Sequence, residues 1–303
     1  MKLFLRGSHL LFVLFLLVQL LPDARPSQAI YSVGFAVAAE TASLLFAVLT
    51  LRTQRREAHL FFDLLAFVYA SLIVWELLTA KFSILRAALF PPPGMIIAQI
   101  ASDAGKITLN IRSSLGIILE GHALGLAAGI PLGLFLGWSA RLGSVAAYVS
   151  KFLGSIPPVV YIPYGIALLP TFRSVSVLVI FLATFWPVLA GTMSGVLNVE
   201  RRIIDSARVL NVSRFSMLFH IILPASLPQI FIGCNQGLSV SFVLLTSAEM
   251  IGARSGMGYY VKNYSDLGDY TRTVAGVLVI GTVVSTVMFF SNKLQNYLLR
   301  WKS

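Results

Sequence analysis

The sequence predicts an all-α integral membrane protein that crosses the bilayer several times. Three observations predict it. Of the 303 residues 57% are hydrophobic and only 12% are charged, with a mean hydropathy of +0.84. The apolar residues gather into runs near the roughly 20 residues needed to cross a bilayer. Between the runs stand short breaks that hold most of the Lys and Arg residues. A soluble domain carries about a quarter charged residues, so a water-soluble enzyme is excluded for want of polar side chains to cover its surface. The same apolar content excludes disorder. The single cysteine, Cys234, excludes an intrachain disulfide framework and a thiolate zinc cluster. The net charge of +11 sits in the breaks between apolar runs, which points to membrane orientation and not to nucleic acid.

Apolar runs lie near 8–22, 28–51, 59–80, 114–138, 148–170, 174–197, 229–251 and 271–292. The first follows Lys2 and Arg6 and reads as a short first span, or as a cleaved secretory signal with a small-residue site near Ser27–Ala29. With a cytoplasmic N-terminus, the inner segments hold Lys2, Arg6, Arg52, Arg55, Arg56, Arg141, Arg201, Arg202, Arg208, Arg214, Lys293, Arg300 and Lys302. The outer segments hold Arg25, Lys81, Arg86, Lys106, Arg112, Arg173, Arg254, Lys262 and Arg272. The bias places both termini inside. Pro91–Pro93 stops a helix, and the mixed stretch Met95–Arg112 beyond it fits a helix lying along the interface. Gly121, Gly125, Gly129, Gly133 and Gly137 recur every fourth residue, a spacing that puts them on one helix face and lets another backbone approach. Pro157, Pro158 and Pro163 interrupt the next run, so a kinked helix or a broken helix beside a pore is expected there.

The segment 198–228 is too polar to span yet is patterned. Ile203, Ile204, Ala207, Leu210 and Val212 recur at roughly helical spacing, as do Phe215, Leu218, Phe219 and Ile222. Two short helices are expected, joined near Asn211–Val212–Ser213, with Asp205 and Ser206 early in the first and Pro224 ending the second. Such a loop either rests on the membrane or docks a cytoplasmic partner.

This segment resembles the cytoplasmic signature of inner-membrane permeases of ABC importers: EAA, three residues, G, nine residues, I, any residue, LP. Asp205–Ser206–Ala207 occupies the EAA place, Asn211 the glycine, and Ile221, Leu223 and Pro224 the closing I-x-LP. Asp replaces Glu, Ser replaces the first Ala, and Asn replaces Gly while keeping access to positive φ. Trp75–Glu76, Pro91–Pro93, Pro131–Leu132–Gly133, Ile156–Pro157–Pro158, Tyr161–Ile162–Pro163, Phe185–Trp186–Pro187, Ala248–Glu249–Met250–Ile251 and Gly256–Met257–Gly258 are similar to the nitrate/sulfonate/taurine/bicarbonate-type branch. The resemblance covers roughly residues 70–292.

The resemblance implies a helical bundle of the ABC importer permease type, with a six-helix core over 70–292 and about two extra N-terminal spans in 1–69. The loop 198–228 is then a coupling loop and 293–303 a cytoplasmic tail. Asp205, Ser206, Ala207, Asn211, Ile221, Leu223 and Pro224 would transmit movement from a cytoplasmic ABC ATPase. Further partners implied are a second permease copy or paralogue and a periplasmic or lipid-anchored solute-binding protein, within membrane lipid. ATP would be bound by the ATPase. This chain carries no G-x-x-x-x-G-K-[ST] loop, since Gly105–Lys106 lacks the upstream glycine. Solutes handled by similar permeases are small anions or small organic molecules.

Ionisable residues at span depth are costly unless they face protein or water. Glu249 either borders the solute path or pairs with a base such as Arg254, with a structural or gating role preferred. Glu120 and His122 do not share a helix face, so no metal site is expected there. Lys151 attracts anions or snorkels to the interface. Asn235, Gln236, Ser239 and Ser241 form a polar strip that lines the path or joins helices; Tyr161, Asn235, Ser239 and Glu249 are the path candidates. Two other classes remain as alternatives. A membrane enzyme would need converging catalytic groups, whereas His9, His59, His122 and His220 are scattered. A secondary transporter would need internal repeats.

Overall fold

The computed structural model describes residues 7–50, 55–86 and 88–300. Lys2, Arg6, Arg52 and Lys302 lie outside them, as do the side chains of Arg55, Arg56 and His59. The described residues are helical, with turns and no strand. The chain forms two compact units, one of residues 1–107 with 261–277 and one of 108–260 with 278–303.

In the first unit, α1 (Gly7–Gln19), α2 (Ala29–Thr50) and α3 (Arg55–Glu76) pack through Phe15, Val18, Ala36, Tyr69 and Ile73. The expected span at 8–22 is a described helix of 13 residues, shorter than a bilayer crossing requires. Its His9 is held by a neighbouring helix. His9 on α1 pairs with Glu40 on α2, whose carboxylate also accepts the Tyr69 hydroxyl at 3.0 Å. Helix α3 runs into a π turn at Leu77–Lys81, which places the Lys81 ammonium inside the unit. Lys81 donates to the carbonyls of Gln19 (3.2 Å) and Leu21 (2.7 Å) and pairs with Asp23 at 2.6 Å. The carbonyls after α1 thus find a partner without water.

Pro91–Pro93 ends one helical path and begins another. Pro92 caps α4 (Pro93–Ser102), and proline suits the first helical position. The stretch Met95–Arg112 is therefore not one helix. It breaks at Asp103, and the remainder opens α5 (Ala104–Trp138). Asp103 is held by Arg272 at 2.8 Å, and Arg272 also binds Asp269 at 2.6 Å. Asp269 caps α13 (Tyr270–Leu298) by accepting the Arg272 backbone N–H at 3.0 Å.

The second unit is built around α8 (Phe172–Leu197), buried between α5 and α11 (Leu223–Gly252). Thr171 caps α8 by accepting the Ser174 N–H at 3.1 Å. The glycine stripe of α5 lies along it. A Cβ on Gly125 would stand 2.6 Å from that of Thr184, and one on Gly133 2.6 Å from that of Thr192. On the other side, a Cβ on Gly233 of α11 would meet the Pro187 carbonyl at 2.6 Å. Without a hydrophobic drive between helices in lipid, such close approach is what holds spans together. Ile117, Ile118, Val177, Ile180, Leu238, Phe242 and Leu245 form the core where these three helices meet. Polar groups cross it as well. His122 meets the Thr184 hydroxyl at 3.0 Å, and Thr184 meets Ser241 at 3.2 Å.

The run at 148–170 is broken, as its prolines lead one to expect. Ser139 caps α6 (Ala140–Gly154), and after a 3-10 turn at Pro158–Tyr161 comes α7 (Ile162–Leu168). The two arms meet at 70°. By length and composition, six described helices can each cross a membrane, or seven crossings if the bent pair counts as one.

Candidate functional site

Two places in the second unit gather the residues singled out in the sequence. The first is the 198–228 segment. Helix α9 (Arg201–Val209) begins at Glu200, which makes no side-chain cap. Asp205 is therefore in the second turn and does not cap the helix. Its carboxylate faces Arg208 at 3.4 Å on the exposed surface, where such a pair contributes little. The Ser206 hydroxyl donates to the Arg202 carbonyl at 2.8 Å.

Ala207 is the inward residue, 5% exposed and packed with Leu134 of α5, Val196 of α8, Met217 and Ile222. The helix ends in a closed turn. Asn211 takes φ 52°, its N–H bonds the Arg208 carbonyl at 3.0 Å, and the Val212 N–H bonds the Ala207 carbonyl at 3.1 Å. These two bonds are the Schellman pattern, completed by Val212 joining the apolar cluster of Ala207. Asn at the glycine place fits, since it tolerates the left-handed conformation.

Beyond Asn211, α10 (Arg214–Ser216) is capped by Ser213 and passes through a π turn at Met217–Ile222 straight into α11. Pro224 was expected to end the second helix, but it stands in the first turn of α11. A proline inside a helix removes one hydrogen bond and clashes with the carbonyl four residues back. The π turn relieves this by shifting the bonding, with the Leu223 N–H reaching the Leu218 carbonyl five residues back. Ile221 and Leu223 pack half-buried on the Ala207 cluster. The outward side carries Arg201, Arg202, Arg208, Val209, Leu210 and Phe215, all exposed. Leu210 and Phe215 belong to the predicted apolar stripe, yet only its Ile204, Ala207, Val212, Leu218 and Ile222 turn inward.

The second place is the polar strip of α11, which the fold divides. Asn235 faces α13, donating to Asn292 (3.0 Å) and Gln295 (2.6 Å) and accepting from Ser291 (2.6 Å). Ser241 turns toward α8. Ser239 is exposed and contacts the Met288 sulfur at 3.7 Å. Glu249 is buried, accepting the Ser114 hydroxyl at 2.6 Å and the Gly258 N–H at 2.7 Å. Ser114 in turn accepts the Met257 N–H at 2.8 Å. Glu249 therefore fastens the turn at Gly256–Gly258 to α5, and Arg254 is not among its partners. Tyr161 is half-buried in the 3-10 turn at the bend.

Gln236 opens instead onto a cleft of about 500 Å³ between α6, α8 and α11, shared with Lys151, Trp186, Ser194 and Gln229. Of these, the sequence reading named Gln236 and Lys151 but missed Gln229. The signal available was spacing, because Gln229, Ile232, Gln236 and Ser239 recur at three and four residues along one helix face. Glu120 pairs with Arg173 at 2.9 Å, and no group of His, Cys, Asp or Glu among the described residues is placed to hold a metal.

Comparison with known proteins bears on most of the chain. Residues 129–303 match the family described as binding-protein-dependent transport system inner membrane component. A probable ABC transporter permease of Brucella melitensis is 32% identical over 209 residues, covering 68% of this chain and 83% of the relative. The taurine transport system permease protein TauC of Escherichia coli is 27% identical, covering 76% and 86%. The nitrate import permease protein NrtB of Synechocystis is 25% identical, covering 70% and 80%.

Proposed function

The chain belongs to the family of binding-protein-dependent transport inner-membrane components and is a multi-pass inner-membrane permease subunit of an ABC importer; on that premise we propose that α9 and the turn closing it receive the stroke of a separate cytoplasmic ATPase. One observation carries this reading. Ala207 sits in a single apolar cluster with α5, α8 and the start of α11, while the opposite side of the same short helix is uncovered. A push on the outer side is thereby passed to three span-forming helices at once.

In this reading Asp205, Ser206, Arg208 and Leu210 meet the ATPase, and Ala207, Asn211, Ile221, Leu223 and Pro224 keep the lever stiff and attached. Two packed arrangements of a pair of permease chains, either two copies or this chain with a paralogue, then alternate access to a path between them. A periplasmic or lipid-anchored binding protein delivers the solute, and both termini of the permease face the cytoplasm. The names of the relatives support a small anion or small organic solute of the nitrate, sulfonate or taurine kind, and the resemblance of the sequence adds bicarbonate.

The test is uptake into right-side-out or reconstituted vesicles holding the chain with its co-purified ATPase, with ATP enclosed and the binding protein and solute outside. ATP-dependent uptake is expected, and Ala207→Trp with Asp205→Trp is expected to abolish it while the protein remains in the membrane. Full uptake in that variant would overturn the coupling role of α9.

A further inference from the structure

We propose that the cleft between α6, α8 and α11 is a binding station for a small organic or inorganic monoanion, with Lys151 as its charge partner and the Gln229 and Gln236 amides as its hydrogen-bond donors. The proposal rests on the importer reading for its place in transport and on the cleft alone for its chemistry.

Four observations converge. First, no acidic residue lines the cleft, so Lys151 gives it a net positive charge. Lys151 is exposed, and no described carboxylate pairs with it. Second, the side-chain amides of Gln229 and Gln236 have no hydrogen-bond partner among the described residues. They stand two turns apart on one face of α11, which lies within a span-forming stretch. Polar groups at that depth face water or protein, because turning them to lipid is costly. Third, the space is real. Its walls are held close by glycines: a Cβ on Gly154 would stand 3.3 Å from that of Trp186, and one on Gly191 2.8 Å from the Gln229 carbonyl. Fourth, Trp186, Pro187 and Ile232 give the cleft an apolar wall, beside the hydroxyls of Ser150, Ser155 and Ser194.

A volume of about 500 Å³ suits a small molecule. One cation balances one negative charge and leaves a second uncompensated. The absence of any acid disfavours a cation. The apolar wall accepts a short alkyl group on the far side of the anion. Lys151 in the last turn of α6 also complements the C-terminal end of that helix dipole. That role alone would neither require the amides facing it nor select ligands by charge.

Charge selection is therefore what the experiment reads. Ala190→Cys, which lines the cleft without holding the anion, in a Cys234→Ala background of the full chain in its purified complex, is labelled with two methanethiosulfonates, one carrying a sulfonatoethyl group and one a trimethylammonioethyl group. The ratio of anionic to cationic labelling rates is expected to fall roughly fivefold when Lys151→Gln is added, as one unit charge several ångströms away in a wet site acts oppositely on the two reagents. Millimolar methanesulfonate is expected to slow labelling with Lys151 present and not in Lys151→Gln. An unchanged ratio with no protection overturns the station. ATP-dependent methanesulfonate uptake by the same complex separates the two claims. Uptake with an unmoved ratio leaves the importer standing and the station refuted. A moved ratio with protection, but with no ATP-dependent uptake, leaves the station standing and refutes the ATPase coupling proposed for α9.

Discussion

At Asn211 the backbone takes φ 52°, a conformation that costs an ordinary L-residue about 1–2 kcal/mol and Asn less. The Schellman bonds from Asn211 and Val212 hold that turn closed and hold Ala207 in its apolar socket. Asn211→Gly is expected to keep or slightly raise thermal stability, by up to about 1 kcal/mol, because glycine enters this region freely. Asn211→Val should instead strain the turn and lower ATP-coupled uptake more than it lowers the amount of folded protein; equal loss of both would deny the turn a coupling role. Glu249 behaves differently. It bridges Ser114 on α5 to the Gly258 N–H, and removing it leaves both donors without their acceptor. Glu249→Leu is expected to destabilise the detergent-solubilised protein by about 2–4 kcal/mol, seen as a lower Tm, with Glu249→Gln milder. Asp23 marks a pH limit in the first unit. Burial raises its pKa, but hydrogen bonds from Lys81 and Ser27 outweigh this and leave it below the usual 3.8. A lowered carboxylate pKa adds stability that is present above the ordinary value and lost as pH falls through the lowered one. Protease cleavage between α1 and α2 is expected to rise only below about pH 4, and Asp23→Asn should bring that cleavage to neutral pH.

Among the elements, α8 is the part on which the second unit is assembled. Its two faces meet glycines of α5 on one side and of α11 on the other, so each interface depends on missing side chains. Gly133→Val would force atoms into space where even a Cβ stands 2.6 Å from that of Thr192. Overpacking of this kind costs about 1–3 kcal/mol, and more when backbone must move. The expected result is loss of the monodisperse peak in size-exclusion chromatography. Gly116, with nothing within 4 Å of its added Cβ, should tolerate the same change on the same helix. The π turns at Leu77–Lys81 and Met217–Ile222 show a second economy. The first closes the α3 path and leaves Lys81 buried, whereas the second lets a helix take Pro224 without ending.

For the molecule as a whole, the hydropathy and spacing of the sequence determined the class, most of the spans, the break at Pro157–Pro158, the glycine face of α5 and the two-part 198–228 segment. These are legible because bilayer thickness and helical period act on any apolar run, whatever its neighbours. The same holds for the family, since the signature from Asp205 to Pro224 is local in sequence. Tertiary structure alone decided which polar residue faces what. Asn235 and Gln236 are neighbours in sequence, yet one is bound to α13 and the other opens onto the Lys151 cleft. Glu249 reads from the sequence as a path, structural or gating residue, and only the fold supplies its partner Ser114, 135 positions away. Pro224 reads as a stop until the π turn before it is seen. Such outcomes depend on contacts between residues remote in the chain, and a hydrogen-bond donor carries no mark in the sequence of the partner that packing will bring to it.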